Sequence, residues 1–176
     1  MMKILAFAAS SSTRSINKKL VTYAATLLAD SQVEVLDLND YELPLFSEDK
    51  EIELGQPSLA KDFLDKITAS DAILISFAEH NGSYSAAYKN LFDWCSRINP
   101  KVFQNKPMVL LSTSPGAGGA ASVLAQALKS APFFGGDVKA SYSMSGFYEN
   151  FDVENGRIKN QDMNASLVSA LGQLAQ

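Results

Sequence analysis

The amino-acid sequence predicts an α/β fold, a three-layer α/β/α sandwich around a five-stranded parallel sheet. Three observations carry this. Strand-like and helix-like patterns alternate along the chain with short connections, the arrangement that builds a parallel sheet covered on both faces. The run Ala72-Ile73-Leu74-Ile75-Ser76-Phe77 is apolar almost throughout, as a strand buried on both sides must be. At 176 residues, 47% hydrophobic and 19% charged, the chain can enclose one substantial core without disulfides or structural metal, so residues 1–176 read as one domain.

Taken in order, residues 3–9 form the first strand and 17–30 the first helix, with Ile16, Leu20, Ala24, Leu27 and Leu28 spaced for one buried face. Residues 33–38 are the second strand. The stretch 39–56, with its acids, two aromatics and a proline, reads as an irregular surface loop. Pro57 suits the first turn of a helix reaching about residue 69, with Leu59, Phe63, Leu64 and Ile67 on its apolar side. The third strand spans 72–77, and a helix over 85–97 ends before Asn99-Pro100. Residues 108–113 and 137–142 are the last two strands, separated by a helix over 120–131. Asn155-Gly156 marks a tight turn, and 164–175 closes the chain as an amphipathic helix. Right-handed crossovers then favour the strand order 2-1-3-4-5, whose ligand crevice lies beside strands one and three.

Composition narrows the function. A net charge of -4, with Lys18-Lys19 as the only basic doublet, argues against a nucleic-acid surface. One cysteine makes no internal disulfide, and with one histidine no metal site is expected. The apolar run near the amino terminus is short for a signal peptide, and its removal would delete the first strand. A cytoplasmic protein without a membrane span is expected.

Three loops at the carboxyl end of the sheet carry the chemistry. Ser10-Ser11-Ser12-Thr13-Arg14-Ser15-Ile16-Asn17 sets a hydroxyl cluster at a helix amino terminus, where backbone N–H groups and the helix dipole favour a phosphate. The same residues would also serve as a simple N-cap cluster. The loop is neither a P-loop nor a dinucleotide fingerprint, because the spaced glycines are missing. The second loop, Ala78-Glu79-His80-Asn81-Gly82-Ser83-Tyr84, leads into Lys89-Asn90-x-x-Asp93-Trp94. The third, Ser114-Pro115-Gly116-Ala117-Gly118-Gly119, permits close backbone approach to a ligand. Lys89 and Asp93 are spaced as a surface ion pair, while Trp94 and Cys95 read as packing residues.

These loops, in this order, resemble the NADPH-dependent FMN reductase family of flavodoxin-like NAD(P)H:flavin/quinone oxidoreductases. Lys89-Asn90-x-x-Asp93-Trp94 matches its pattern in register, and Ser10, Ser15 and Asn17 match its phosphate loop. Ala9, Ser12, Ile16, Ala78, His80 and Tyr88 depart from it. The resemblance implies a flavodoxin-like fold and FMN as cofactor. FMN would be held by Ser10, Ser12, Ser15, Ile16 and Asn17, by Ala78, Glu79, His80, Asn81 and Gly82, and by Ser114, Pro115 and Gly116. It further implies NADPH or NADH as hydride donor, a flavin, quinone, azo or related acceptor, ping-pong kinetics, and a homodimer or homotetramer. No side chain is then catalytic in itself, and His80 is the one candidate modulator. Tyr84 stands nearest the site, ahead of Phe46, Phe147, Tyr148 and Phe151. A flavodoxin-type electron carrier is the alternative.

Overall fold

The first strand, β1 (Met2–Ala9), sends alternate side chains into two different cores. Leu5, Phe7 and Ala9 enter one, and Ile4, Ala6 and Ala8 the other. The computed structural model, which describes residues 1–175, pairs β1 in parallel with β2 (Ser31–Leu36) and β3 (Ala72–Phe77). With β4 (Lys106–Thr113) and β5 (Gly136–Met144), the sheet takes the order β2-β1-β3-β4-β5. This is the flavodoxin-like architecture read from the alternation of elements.

The helices are α1 (Ile16–Thr26), α2 (Glu48–Leu54), α3 (Ser58–Ala69), α4 (Ala86–Ile98), α5 (Ala121–Ser130), α6 (Phe147–Asn150) and α7 (Gln161–Leu171). Leu20, Val21 and Ala24 of α1 and Leu167 of α7 cover one face with Ile4, Ala6 and Leu74. On the other face, Phe63, Leu64 and Ile67 of α3, Leu91 and Trp94 of α4, and Val123 of α5 cover Phe7, Ile73 and Ile75. The register matches Ala9 with Phe77, and Phe77 with Ser112. The loops after β1, β3 and β4 therefore open at one edge.

Several boundaries move. The stretch 39–56 is not irregular throughout: a 3-10 turn covers Leu38–Tyr41, and α2 follows. Ser47 caps α2 by accepting from the Lys50 N–H, three acids occupy its first turn, and Gly55 ends it at φ 68°. No residue of α2 is buried, so hydrophobic periodicity could not reveal it. The second strand lies two residues earlier than read, because Asp37 turns the chain by accepting from the Asn39 N–H. The first helix stops at Thr26, well short of residue 30. The last begins at Gln161, capped by Asn160, and gives way to a 3-10 turn over Gly172–Ala175. The Asn155-Gly156 turn joins a small antiparallel pair, β6 (Phe151–Asp152) and β7 (Arg157–Ile158).

Asn90 and Trp94 have a structural task. Asn90 donates to the carbonyls of Leu43 and Pro44, both at 3.0 Å, and accepts from the Phe46 N–H at 2.8 Å. The Trp94 indole donates to Pro44 at 2.7 Å. Together they strap residues 43–46 to α4. Lys89 and Asp93 form the expected i,i+4 pair, 2.7 Å apart on the surface. Cys95 is buried, and burial pushes its thiol up to about 12, which leaves it protonated and inert at neutral pH.

Candidate functional site

The first loop is shaped by its own hydroxyls. Ser15 caps α1 by accepting from the Lys18 N–H at 3.1 Å, and Ser10 accepts from the Ser12 N–H at 3.2 Å. Both are buried, at 7% and 8% exposure for Ser10 and Ser15 respectively, while Ser12 and Arg14 are exposed. Lys18 points away from the loop to ion-pair with Asp37. That hydrogen bond, with help from the Asn39 N–H, holds the Asp37 carboxyl below its usual value.

Asn17, only 2% exposed, is a bracket between elements. Its Oδ1 accepts from the Ser76 hydroxyl at 2.8 Å and the Thr113 N–H at 3.0 Å, and its Nδ2 donates to the Thr113 carbonyl at 3.2 Å. Its oxygen is thus fully committed inside the protein, and one N–H remains. These bonds fix the α1 amino terminus against β3 and β4, while Asn17 still lines the cleft.

The second loop turns on Asn81-Gly82. The His80 N–H donates to the Ser83 carbonyl at 2.9 Å, and the Ser83 N–H donates back at 3.1 Å. Asn81 (φ 52°) and Gly82 (φ 78°) lie in the left-handed region, the signature of a type I′ turn. The dipeptide announces this turn in the sequence. The turn spends the His80 amide, leaving those of Glu79, Asn81 and Gly82 without a hydrogen-bonded partner among the described residues. The exposed His80 side chain lies on the wall of the cleft.

Glu79 joins the second loop to the third. Its carboxylate accepts from the Val123 N–H at 2.7 Å, at the amino terminus of α5, whose N-cap residue Ala120 offers no side-chain acceptor. This is a helix cap supplied by another loop, invisible to a local reading. Glu79→Ala is expected to destabilise the fold by about 1 kcal/mol and Glu79→Gln by less, since the amide keeps an acceptor. Urea unfolding of both variants checks the ranking; equal losses would show that only the charge matters.

The third loop is tied to the turn before α6. Gly146 N–H donates to the Gly116 carbonyl at 2.9 Å, and Phe147 N–H to the Ser114 carbonyl at 3.0 Å. Between the three loops lies a cleft of about 250 Å³. Ser10, Ser12, Ser15, Ile16 and Asn17 line it from the first loop, with Arg14 beside them. Ala78, Glu79 and His80 line it from the second, and Ser114 and Pro115 from the third. Asn81, Gly82 and Gly116 are exposed and lie in the turns adjoining these lining residues.

The order of the aromatics is corrected. Tyr84 turns from the cleft into a separate aromatic cavity between α4 and α5, its hydroxyl 3.1 Å from that of Ser130. Phe46 packs edge-on against Trp94, and Phe147 stacks on Phe151 in the core. Tyr148 is the aromatic on the cleft wall. Its signal is the Ser145-Gly146 turn after the last strand, at the same sheet edge as the other loops.

Among the described residues no cluster of metal-binding side chains occurs, and no helix is long and apolar enough to cross a membrane.

The family profile described as NADPH-dependent FMN reductase matches residues 2–149. An NADPH:quinone oxidoreductase of Arabidopsis thaliana is 34% identical over 126 residues, covering 69% of this chain and 63% of the relative. An NAD(P)H-dependent FMN reductase of Pseudomonas aeruginosa is 32% identical over 121 residues, covering 68% of this chain and 64% of the relative. The match thus spans just under two thirds of each relative's length. Among solved structures, the flavoenzyme NAD(P)H:(acceptor) oxidoreductase FerB of Paracoccus denitrificans shares the fold with a TM-score of 0.78 at 23% identity, over 99% of this chain and 98% of that one. With its strand order and its three loops at one sheet edge, the chain belongs to the NADPH-dependent FMN reductase family.

Proposed function

We propose that this chain is an FMN-dependent oxidoreductase that oxidises NADPH or NADH and reduces a small-molecule acceptor (flavin, quinone, azo or related) by a ping-pong mechanism. It works as a single cytoplasmic domain in a homo-oligomer. The observation that carries this reading is the donor-rich cleft at the sheet edge. Ser10 and Ser15 are buried there, each using its oxygen for a backbone N–H and keeping its own O–H for an acceptor. The α1 amino terminus adds free amides and the positive end of its dipole. The cleft's carboxylate, Glu79, is engaged by α5. Such a donor set fits the phosphate of FMN.

When bound, FMN would supply a ring that accepts a hydride and passes electrons on. The protein's part is position and electrostatics. Ser10, Ser12 and Ser15 would hold the phosphate, and the unpartnered amides of Glu79, Asn81 and Gly82 would donate to the ring's polar atoms and favour negative charge there. Ser114 and Pro115 would contact the ring from the third loop, and Ile16 and Ala78 would exclude water. His80, exposed on the cleft wall, is the one side chain placed to modulate a bound ring by direct contact.

Anaerobic stopped-flow absorbance of FMN-loaded protein mixed with NADPH, then NADH, tests the reading. Rapid two-electron bleaching is expected, and the faster donor is the preferred one. FMN binding without bleaching would point to an electron carrier instead. A chain that binds no FMN has neither activity.

A further inference from the structure

We propose that the aromatic cavity between α4 and α5 is a second ligand site, taking a neutral single-ring aromatic that carries a hydroxyl, of the phenol class. The cavity has a volume of about 250 Å³ and shares no lining residue with the cofactor cleft. The two come together only in sequence, at the end of β3, where Phe77 lines the cavity and Ala78 the cleft.

Size and lining argue for an occupant. Protein interiors leave few voids larger than a water, and an apolar cavity of roughly 150 Å³ is enough to admit benzene. Phe77, Tyr84, Tyr88, Phe92, Phe103 and Phe134 supply six rings to the wall. Neighbours among them meet tilted or edge-on, from 4.7 Å for Phe92 and Phe134 to 6.0 Å for Tyr88 and Phe92, and none of these pairs is stacked face to face. Rings that do not stack on one another suit a further planar ring between them. Lys89 and Asp93, also on the wall, neutralise each other at 2.7 Å. A neutral guest therefore meets no unpaired charge there.

The polar groups specify the hydroxyl. The Tyr84 and Ser130 hydroxyls are 3.1 Å apart, and Ser130 donates onward to the Ala127 carbonyl at 3.4 Å. Burial raises the Tyr84 phenol above its usual value, so it stays protonated. With Tyr84 donating to Ser130, the Tyr84 oxygen keeps an acceptor site unused. Gln126 accepts from the Ser83 hydroxyl at 3.0 Å, and its amide N–H groups have no partner among the described residues. One spare acceptor and one spare donor thus line an aromatic cavity. A phenolic O–H answers both, donating to Tyr84 and accepting from Gln126. Toluene fills the same space and answers neither.

Calorimetric titration of the full chain with phenol and with toluene, with and without saturating FMN, tests the proposal. Methyl NMR of Met108, buried on the cavity wall, locates the guest. Phenol should bind with a Kd on the order of a millimolar or tighter, shift the Met108 methyl, and bind several-fold more tightly than toluene. Its affinity should be the same with and without FMN, so a chain that binds no flavin would still show the site. Gln126→Ala, at an exposed position, should weaken phenol by roughly three- to tenfold and leave toluene and the melting temperature unchanged. Ala127→Leu, which fills the cavity, should abolish binding of both; if that variant fails to fold, Gln126→Ala decides. Displacement of phenol by FMN would put it in the cleft and overturn the proposal. Equal affinity for phenol and toluene would overturn it too, as would binding of neither probe, the result expected if a second copy of the chain seals the cavity.

Discussion

Asn17→Ala should lower stability by about 3 kcal/mol, shifting the melting temperature down by roughly 6–12 °C for a chain of this size. The substitution removes the acceptor of the Ser76 hydroxyl and of the Thr113 N–H, and the donor to the Thr113 carbonyl. All three groups are buried, and stranding a buried polar group costs more than its hydrogen bond contributes. The loss falls where α1 meets β3 and β4, so FMN affinity should fall with stability. Asn17→Asp keeps the acceptor but turns an oxygen toward the Thr113 carbonyl, and it should not rescue. Calorimetry and flavin titration read the two effects. Weakened FMN binding with an unchanged melting temperature would instead make Asn17 a direct ligand and not a bracket.

Gly119→Ala is the second large effect. Gly119 has φ 60°, where an added Cβ is strained, and that Cβ would collide with the Ser143 hydroxyl and crowd the backbone of Met144 and Ser145. The Gly119 carbonyl also accepts from the hydroxyls of Ser112 at 2.7 Å and Ser143 at 2.8 Å, so the third loop is riveted to β4 and β5 at this residue. A loss of about 2–3 kcal/mol is expected from strain and the displaced hydrogen bond together. Gly118→Ala is the matched control: its φ is not in the left-handed region, a Cβ there meets open space, and a change within about 0.5 kcal/mol is expected. Similar losses in both variants, measured by urea unfolding, would show that Gly119 is not the rivet.

The third loop illustrates why glycines cannot be ranked from the sequence. Gly116, Gly118 and Gly119 look alike in the chain, yet only Gly119 needs its missing side chain for the fold itself. Gly116 has open space around it, so any demand for glycine there would come from a ligand. Gly119→Ala therefore tests architecture, and Gly116→Ala would test approach to the flavin.

The sequence by itself determined the sheet, its strand order and the edge at which the three loops gather. Apolar runs buried on both faces and the handedness of crossovers are local patterns and general rules, which a chain carries without its coordinates. It also held the type I′ turn, since Asn81-Gly82 encodes its own backbone angles. It did not reveal α2, which buries no residue and rests on its caps and first-turn acids. Tertiary structure alone decided what the polar side chains do. Asn17 became a bracket because β3 and β4 end beside it, and Glu79 became the cap of a helix more than forty residues away. Tyr84 was drawn into an aromatic cavity, and Tyr148, far along the chain, reached the cleft in its place. Hydrophobic periodicity is a property of neighbours in sequence, whereas the partner of a buried donor or acceptor is whatever the fold brings within about 3 Å.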